Sequence, residues 1–428
     1  MILLVAFNAR VNAAPSILIT SLPAYGANAA LGGLVLNANP ATNAVAVFIY
    51  VPGYGWVSKP TCAQPLTTIQ PDGSWSANVT TGGAGDLTAT RFAALLVSTN
   101  FNLACVLGLP NLPASAYAQA SAKTVVTRPS PGVRFLNFSG YDWSVKNYTA
   151  PVGPGPNYFS DATNNVWTDT NGWLHLRITH RTNAWHCAEI FSARTFGLGS
   201  YRFELNSPVD SLNPNVTLGL FTYSDDPAFT SREIDVECSR WQNATDTNNS
   251  QFVVQPYNLP NQLVRYRVPP GLADSTHLFV WETNRISWQS QTGAYSAAAT
   301  NLIAAYVFTN AANVPQSGDE VVHLNLWLIY GNPPTDNNEV EVIVKNFNFV
   351  PPGTLPRPVL TNFQMAAASS FKFDLNALPD YRYEVQTSSN LLAWWHLTTL
   401  LATNTALKIS DPNPPPVNKR FYRVITQP

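Results

Sequence analysis

The sequence predicts an all-β protein made of several β units. Short runs of β-branched and aromatic residues recur along its 428 residues, and many of them alternate apolar with polar positions. Turn-forming residues, including 34 prolines, separate these runs. Long stretches rich in Ala, Leu, Glu and Lys, which are typical of helices, do not occur. The length favours two or three domains over a single core.

The first unit is predicted to be a β-sandwich over residues 16–121. Runs such as "NAVAVFIYV" and "WSANVT" predict strands, and "PDGS" at residues 71–74 predicts a hairpin turn. The polar, Pro-containing segment "SAKTVVTRPSPG" then predicts a linker. Tyr50, Tyr54 and Trp56 are equally compatible with a carbohydrate platform and with core packing.

The second unit is predicted over residues 133–352 and the third over residues 358–428. Strand-like runs in the second unit include "LHLRIT", "YRFELN", "HLFVWE", "ISWQSQ" and "VEVIVKNFNFV", and its length suits a sandwich of two large curved sheets. The hinge-like "PPGTLPRP" follows. The runs "FKFDLN", "YRYEVQTS" and "RFYRVI" predict a small antiparallel sandwich as the third unit, similar to modules appended to secreted bacterial enzymes.

Features of the termini and cysteines favour export. The opening "MILLVAFNARVNAAPS" has a short apolar run and a cleavage-like ending, so we expect residues 1–14 to be a signal-peptide remnant, with a buried first strand as the alternative. Four cysteines allow three pairings. A bridge between Cys62 and Cys105 is favoured, whereas Cys187 and Cys238 are equally compatible with buried free thiols. We expect a secreted, extracellular, bacterial protein.

Charge and hydropathy exclude two classes of partner. A formal net charge of -1 and a charged fraction of 11% leave no basic surface for nucleic acid. After the N-terminal run, no segment approaches the ~20 apolar residues of a membrane span. Neither a nucleic acid nor a membrane is therefore expected as a partner, and we expect a monomer.

The segment "TSREIDVECSRW", residues 230–241, carries the strongest functional signal. Glu233, Asp235 and Glu237 alternate with apolar residues, and this period of two predicts a half-buried strand with all three acids on one face. Like charges at such spacing repel one another and raise at least one pKa, so a purely structural use would be costly. The pattern therefore favours catalysis over a solvated acidic strand.

The spacing of these acids sets a condition on the sheet. The Cα atoms of Glu233 and Glu237 should lie about 13 Å apart at a rise of ~3.3 Å per residue. Retaining glycosidases need their two carboxyl groups ~5–5.5 Å apart. The sheet must therefore curve so that the two long side chains lean towards each other, with Asp235 hydrogen-bonded to one of them.

Four ordered segments resemble glycoside hydrolase family 16, the laminarinase and lichenase group with a concanavalin-like β-jelly-roll fold. They are "HCAEIFSARTFGLGSYRFELN", "LGLFTYSDDPAFTSREIDVE", "STHLFVWETNRISWQSQTG" and "VVHLNLWLIYGN", and they span about 200 residues. The resemblance implies a central jelly-roll sandwich, flanked in sequence by the two smaller β-sandwich modules. It also implies that Glu233 is the nucleophile, Glu237 the general acid and base, and Asp235 the residue that assists between them.

The resemblance also indicates residues that bind the sugar. Glu189, Tyr223 and Asn157 fall where lichenases bind substrate, and Trp185 is expected to stack on a sugar ring. Phe191 stands where lichenases place an arginine. An ion pair of Glu189 with one of two arginines, Arg194 or Arg232, is the structural alternative for Glu189.

Metal and serine chemistry have little support. His175, His186, His277 and His323 are scattered without zinc-binding spacing, and no G-x-S-x-G segment occurs. No cofactor is expected to be required. A structural calcium ion is common in the family, although Asn346 appears near where its Asp ligand would lie. Other residues are expected to be structural: His277 through hydrogen bonds, and Trp173, Trp288 and Trp327 as core.

These observations predict a retaining endo-glycosidase that cleaves internal linkages of a polysaccharide. A mixed-linkage β-1,3/1,4-glucan is the leading substrate, followed by β-1,3-glucan and then by galactans such as agarose or carrageenan. Two alternatives stay open from the sequence. A transglycosylase would use the same covalent intermediate, and a lectin-like binding protein would use the same sandwich without chemistry.

Overall fold

A computed structural model of the chain describes residues 14–296, 299–353, 358–365, 370–377, 381–389, 391–403, 406–412 and 420–427. The all-β prediction is confirmed, because strands form nearly all of the regular structure described. The expected signal-peptide remnant lies outside the described residues, apart from Ala14. Within these ranges, no helix has the length and apolar character required to cross a membrane.

The chain forms two compact units, Met1–Gly132 with Ala193–Thr195, and Val133–Ser192 with Phe196–Pro428. The elements of the first unit are β1 (Ser16–Ser21), β2 (Ala30–Leu36), β3 (Asn43–Val51), β4 (Gly55–Lys59), β5 (Leu66–Thr68), β6 (Ser74–Asn78), a 3₁₀ helix (Ala84–Thr88), β7 (Arg91–Ser98), β8 (Leu107–Leu109), α1 (Ala114–Gln119) and β9 (Ala122–Thr127).

Strand β3 is the centre of this first unit. It lies in a sheet of order β8-β4-β3-β7-β9, with β5 also paired to β3, while β1, β2 and β6 form a second sheet. Val45, Val47 and Ile49 pack into the core shared with the second sheet, whereas Phe48 packs into a separate core on the opposite face. Both faces of β3 are therefore buried, which explains its almost uninterrupted apolar run.

Two of the sequence predictions for this unit have clear outcomes. The predicted disulfide between Cys62 and Cys105 is confirmed. Of the three aromatic residues, Trp56 is buried in the core, Tyr50 packs edge-on against it with ring centroids 5.4 Å apart, and Tyr54 is exposed.

The second unit begins with sixteen strands of the described chain. They are β10 (Phe135–Phe138), β11 (Tyr141–Val145), β12 (Tyr158–Phe159), β13 (Val166–Thr168), β14 (Leu174–Arg181), β15 (Ala184–Ser192), β16 (Gly199–Asn206), β17 (Val216–Tyr223), β18 (Ile234–Cys238), β19 (Ser250–Val254), β20 (Leu263–Tyr266), β21 (Asp274–Trp281), β22 (Ile286–Thr292), β23 (Leu302–Phe308), β24 (Val321–Leu328) and β25 (Val340–Val350). Short 3₁₀ helices lie at Val209–Ser211 and Ala311–Asn313, whereas Ala228–Arg232 and Ile329–Gly331 are turns that contain residues with positive φ.

These strands form a jelly-roll sandwich of two sheets. The site sheet has the order β20-β19-β18-β17-β24-β15-β11-β10, and the back sheet has the order β13-β14-β25-β16-β21-β22-β23. Pairing of β14 with β15 joins the two sheets. Residues such as Leu218, Val236 and Leu324 of the site sheet share one core cluster with Tyr201 and Phe279 of the back sheet.

The last strands also belong to the second unit. They are β26 (Val359–Met365), β27 (Phe371–Asn376), β28 (Arg382–Ser388), β29 (Trp395–Leu401), β30 (Ala406–Asp411) and β31 (Phe421–Gln427). Among the described residues they pair as β26-β27-β30 and β29-β28-β31, and Phe373, Tyr383 and Val385 contribute to a core of their own.

Candidate active site

The register of the site sheet brings the predicted acids onto one face. Glu237 lies opposite Gly219 on β17 and Gln251 on β19, and Asp235 lies opposite Phe221 on β17. The intervening residues, Ile234, Val236 and Cys238, pack into the core between the two sheets. Because side chains alternate between the two faces of a strand, the acids lie on the face away from this core.

Glu233 differs from the prediction in its local structure, because it precedes strand β18 and is not part of it. It follows a turn, Phe229–Arg232, in which all four residues have positive φ angles between 51° and 57°. The backbone returns to the extended region at Glu233, whose carbonyl accepts a hydrogen bond of 3.1 Å from the Gln255 N–H. Four consecutive left-handed residues other than glycine are unfavourable, so other contacts must hold this turn.

Arg232 supplies those contacts. Its buried guanidinium donates 3.1 Å to the carbonyl of Gln316 and lies 3.2 Å from Asp226, 3.5 Å from Asp319 and 4.0 Å from Glu320. Burial raises the pKa of Glu320 to about 7. Arg232 is therefore held from two directions, and it fixes the chain immediately before Glu233.

The three acids perturb one another. Burial, followed by the charge of Glu237, raises the pKa of Glu233 to about 7, although hydrogen bonds from Asp235 and Gln255 act to lower it. Burial, together with the charges of both glutamates, raises the pKa of Asp235 well above its usual value. This raised pKa favours the protonated form of Asp235, which can donate a hydrogen bond to Glu233.

Glu237 is held by the neighbouring strand. The Gln251 Nε2 donates a hydrogen bond of 2.6 Å to the Glu237 Oε2. Burial raises the pKa of Glu237 to about 7, against this hydrogen bond and the charge of Arg265, which lower it. Because Oε2 is already an acceptor, a protonated Glu237 carries its proton on Oε1.

Gly219 has no side chain, and this leaves space for the side chain of Asn325. A β-carbon there would overlap the side-chain oxygen of Asn325, which comes from β24. The Asn325 Oδ1 is buried and has no hydrogen-bond partner within the described part of the chain. An unsatisfied buried acceptor next to the acids can receive a donor from a ligand.

Glu189 lies on β15, three strands from β18, and has two nitrogen partners of its own. The Lys146 Nζ lies 2.8 Å from its Oε2, and the His323 Nδ1 lies 2.8 Å from its Oε1. Burial would raise the pKa of Glu189, but these two partners outweigh it and lower the pKa. The sequence suggested an arginine, Arg194 or Arg232, as the partner, whereas the ion pairs of Glu189 are with Lys146 and His323.

His323 lies between two aromatic rings of adjacent strands. The centroid of its ring is 5.4 Å from that of Phe191 and 5.0 Å from that of Phe221, with nearly parallel planes. The Tyr223 ring meets His323 edge-on at 5.8 Å. The structure thus brings Glu189 and Tyr223 to the same histidine, and the ring of Phe191 stacks where lichenases have an arginine.

The other two predicted sugar-binding residues are placed differently. Asn157 is only 3% exposed, and its Nδ2 donates 2.7 Å and 2.8 Å to the carbonyls of Pro154 and Leu328. Trp185 is half-buried against the core, with its ring 4.9 Å from that of His180. Their roles in substrate binding stay predictions, since both have structural contacts that account for their positions.

The structural roles predicted for two core residues are confirmed. His277 is fully buried, and its ring nitrogens contact the hydroxyls of Ser275 and Ser290 at 3.0 Å and 2.8 Å. Trp288 is buried in the core. Trp327 is only partly buried, with its ring centroid 6.0 Å from that of Trp241.

Metal binding has little support from the described side chains. In these ranges no group of three or more His, Cys, Asp or Glu residues could hold a metal ion. Asn346, where the resemblance would place an Asp ligand, lies opposite Glu204 in the back sheet. A structural calcium ion stays a prediction.

Several residues of this face were not predicted from the sequence as site residues. They are Lys146, Gln251, Arg265, His323 and Asn325, and they come from four strands or their ends. Each lies next to a predicted acid only through strand pairing, which a single sequence does not reveal. Polar residues at alternate positions of otherwise apolar strands, as in "VVHLNLWL", were the available signal.

Comparisons with known proteins find solved structures only. The β-glucanase of Bacillus licheniformis is 20% identical, with 52% of this chain and 99% of that chain covered at a TM-score of 0.38. A prokaryotic β-1,3-1,4-glucanase (lichenase) from a mouse hindgut metagenome is 20% identical, with 50% of this chain and 94% of that chain covered at a TM-score of 0.36. A GH16 protein of the Bacteroides ovatus mixed linkage glucan PUL, in complex with a G4G4G3G product, is 13% identical. The match covers 51% of this chain and 97% of that chain at a TM-score of 0.39.

Other comparisons give no match: neither the protein-family models nor the curated proteins match this chain. The chain resembles family 16 β-glucanases over about half its length. Another matched structure is described as a pseudo β-1,3-glucanase of Mycobacterium tuberculosis, at 20% identity. At these identities and TM-scores the likeness assigns no activity to this chain.

Proposed function

We propose that this chain is a retaining endo-glycoside hydrolase that cleaves internal β-1,3 or β-1,4 linkages of a β-glucan. The observation that carries the proposal is the set of three acids on one face, Glu233, Asp235 and Glu237. Burial raises all three pKa values above their usual range, and the charge of neighbouring acids adds to this effect for Glu233 and Asp235. Two carboxyl groups with pKa values of about 7 can exchange roles as acid, base and nucleophile near neutral pH.

Glu233 is assigned as the nucleophile. A hydrogen bond from the Asp235 side chain lowers the pKa of Glu233 and so favours its anion. The Gln255 side chain donates a second bond. In the first step an oxygen of Glu233 bonds to the anomeric carbon while the bond from that carbon to the leaving oxygen breaks.

Glu237 is assigned as the general acid and base. Its Oε2 is occupied by Gln251, so the proton on Oε1 passes to the leaving oxygen in the first step. In the second step Glu237 takes a proton from water, the water oxygen bonds to the anomeric carbon, and Glu233 leaves as a carboxylate. The hydrogen bond from Asp235 stabilises that carboxylate as it forms.

Substrate contacts are proposed on the same face. Glu189 is held as an anion by Lys146 and His323, and its carboxylate oxygens can accept hydrogen bonds from sugar hydroxyls. Tyr223 lies beside His323 and can add a hydroxyl or ring contact. Mixed-linkage β-1,3/1,4-glucan is the substrate we propose first, ahead of β-1,3-glucan.

The proposed setting is extracellular. The disulfide between Cys62 and Cys105 is typical of proteins that fold in oxidising compartments. A polysaccharide that is too large to enter a cell would be met there. We propose that the protein acts as a secreted monomer.

Product analysis tests this function. The wild-type protein is incubated with mixed-linkage β-glucan, β-1,3-glucan, agarose and carrageenan, with the Glu233→Gln and Glu237→Gln proteins as matched controls. We expect oligosaccharides from a β-glucan, with turnover reduced by at least a thousandfold in both variants. Normal turnover by either variant would contradict the assignment.

Two further measurements separate the alternatives: the same assay with an added oligosaccharide as acceptor, and retention of polysaccharide on a column that carries the protein. A transglycosylase would give products longer than the added oligosaccharide, in proportion to the acceptor concentration. A binding protein would retain polysaccharide on a column without releasing oligosaccharides. Either result would replace hydrolysis as the proposed reaction.

A further inference from the structure

Trp241 is an exposed aromatic residue that is hydrogen-bonded to a partner of Glu237. It follows strand β18, four residues after Glu237, and 37% of its surface is accessible. Its φ angle of 51° lies in the left-handed region, which is uncommon for an aromatic residue. The backbone therefore adopts an unfavourable conformation that leaves an indole in solvent beside the site.

Hydrogen bonds through the side-chain amide of Gln251 connect the Trp241 indole to Glu237, the proposed general acid. The Trp241 Nε1 donates a hydrogen bond of 3.1 Å to the Gln251 Oε1, and the Gln251 Nε2 donates 2.6 Å to the Glu237 Oε2. The Trp241 backbone N–H also donates 3.1 Å to the Ser239 hydroxyl. These hydrogen bonds fix the orientation of the indole ring relative to Glu237. A ring that only covered the core would not need such a fixed orientation.

A second indole lies beside the first. The ring of Trp327, from strand β24, meets that of Trp241 edge-on, with centroids 6.0 Å apart and planes inclined by 66°. Trp327 is partly buried against the core, so it supports Trp241 from the protein side. Trp241 itself keeps its exposure, although exposed aromatic surface is unfavourable in water without a ligand.

We propose that Trp241 is a sugar-stacking platform for the leaving-group part of the polysaccharide. This inference rests on the proposed function, since that function places the leaving oxygen next to Glu237. A pyranose ring presents a face of C–H groups, which packs on an indole while its hydroxyls stay in water. Trp241 is linked to Glu237 through Gln251 of β19, whereas Glu189 lies on β15, on the other side of β18 in the sheet.

Kinetics of three variants test the platform. Trp241→Ala removes the ring, Trp241→Phe keeps an aromatic face but loses the bond to Gln251, and Trp395→Ala removes another exposed tryptophan, 68% accessible, on strand β29. With soluble mixed-linkage glucan we expect KM to rise about 3- to 10-fold for Trp241→Ala and less for Trp241→Phe. Trp395→Ala should match wild type, and all three variants should keep the wild-type melting temperature within a few degrees.

A binding measurement separates failure of the platform from failure of the proposed function. Mixed-linkage glucan oligosaccharides are titrated into the Glu233→Gln protein with and without Trp241→Ala, and binding is followed by calorimetry. Weaker binding without the indole supports the platform even if wild type proves unable to hydrolyse the glucan. Equal affinity of the two proteins, or binding by neither, overturns the platform. In that case, Glu233-dependent hydrolysis by the wild-type protein would still leave the proposed function intact.

Discussion

The Trp288 Nε1 donates a hydrogen bond of 3.1 Å to the backbone carbonyl of Asp235. Trp288 lies on strand β22 of the back sheet and Asp235 on strand β18 of the site sheet, so this bond crosses the core between them. The bond satisfies a buried carbonyl in the middle of the acidic strand. It also ties the position of the acids to the packing of the opposite sheet.

Replacing Trp288 should therefore affect both stability and turnover. In Trp288→Phe the carbonyl of Asp235 loses the indole donor and the core loses volume, which we expect to lower the free energy of unfolding by about 1–3 kcal/mol. Trp281→Phe is the matched control, because Trp281 is equally buried and donates 3.1 Å to the Pro315 carbonyl. Both variants should unfold at lower urea concentration. Only Trp288→Phe should also lower kcat, and equal kcat values for the two would contradict this role.

The Arg232 side chain lies so close to the backbone of residue 318 that only a glycine fits there. A β-carbon on Gly318 would overlap the Arg232 Nε, so Gly318→Ala should displace the guanidinium and the turn before Glu233. We expect a loss of about 1–3 kcal/mol in the free energy of unfolding and a lower kcat. Gly85→Ala is the control, because its new β-carbon would meet only Val51 at 3.9 Å. Thermal unfolding and initial rates measure both effects, and an unchanged kcat in Gly318→Ala would show that the turn does not position Glu233.

Arg265 should set the alkaline limit of activity. Its positive charge lowers the pKa of Glu237, so Arg265→Gln should raise that pKa and keep the general acid protonated to higher pH. The falling limb of kcat/KM against pH should move upwards by a few tenths of a unit to about one unit. Arg285→Gln, which removes an exposed arginine paired with Glu282, should leave the limb in place. Movement of the limb to lower pH would contradict the assignment of Glu237.

Stability should depend on pH through Glu237. Its pKa is raised to about 7 in the folded protein from a usual value of 4.5, so folding favours the protonated form. That contribution is complete below pH 4.5 and is lost as pH rises through 7. Relative to wild type, Glu237→Gln should therefore gain about 3 kcal/mol between pH 4.5 and pH 8.

Urea unfolding at these two pH values measures the gain. Glu282→Gln is the control, because Glu282 is exposed and paired with Arg285 on the surface. Its stability relative to wild type should be nearly the same at both pH values. The same result for Glu237→Gln would mean that the folded protein does not raise the pKa of Glu237.

The period of two in "EIDVEC" was enough to predict the strand, its polar face and the three acids. It did not predict that the strand begins at Ile234, because the turn before Glu233 is held by Arg232, whose partner Asp319 is 87 residues away. Sequence separation also hid the partners of Glu189. Lys146 and His323 come from distant strands that only the sheet register brings together.

The most direct test of the account is to trap the intermediate on Glu233. The protein is incubated with a β-glucoside that carries fluorine at C2 and a good leaving group, which slows hydrolysis of a glycosyl-enzyme more than its formation. Mass spectrometry should then show one added glycosyl unit on a peptide that contains Glu233, and none in Glu233→Gln. A label on another residue, or no label under conditions where the wild type still hydrolyses glucan, would contradict the proposed mechanism.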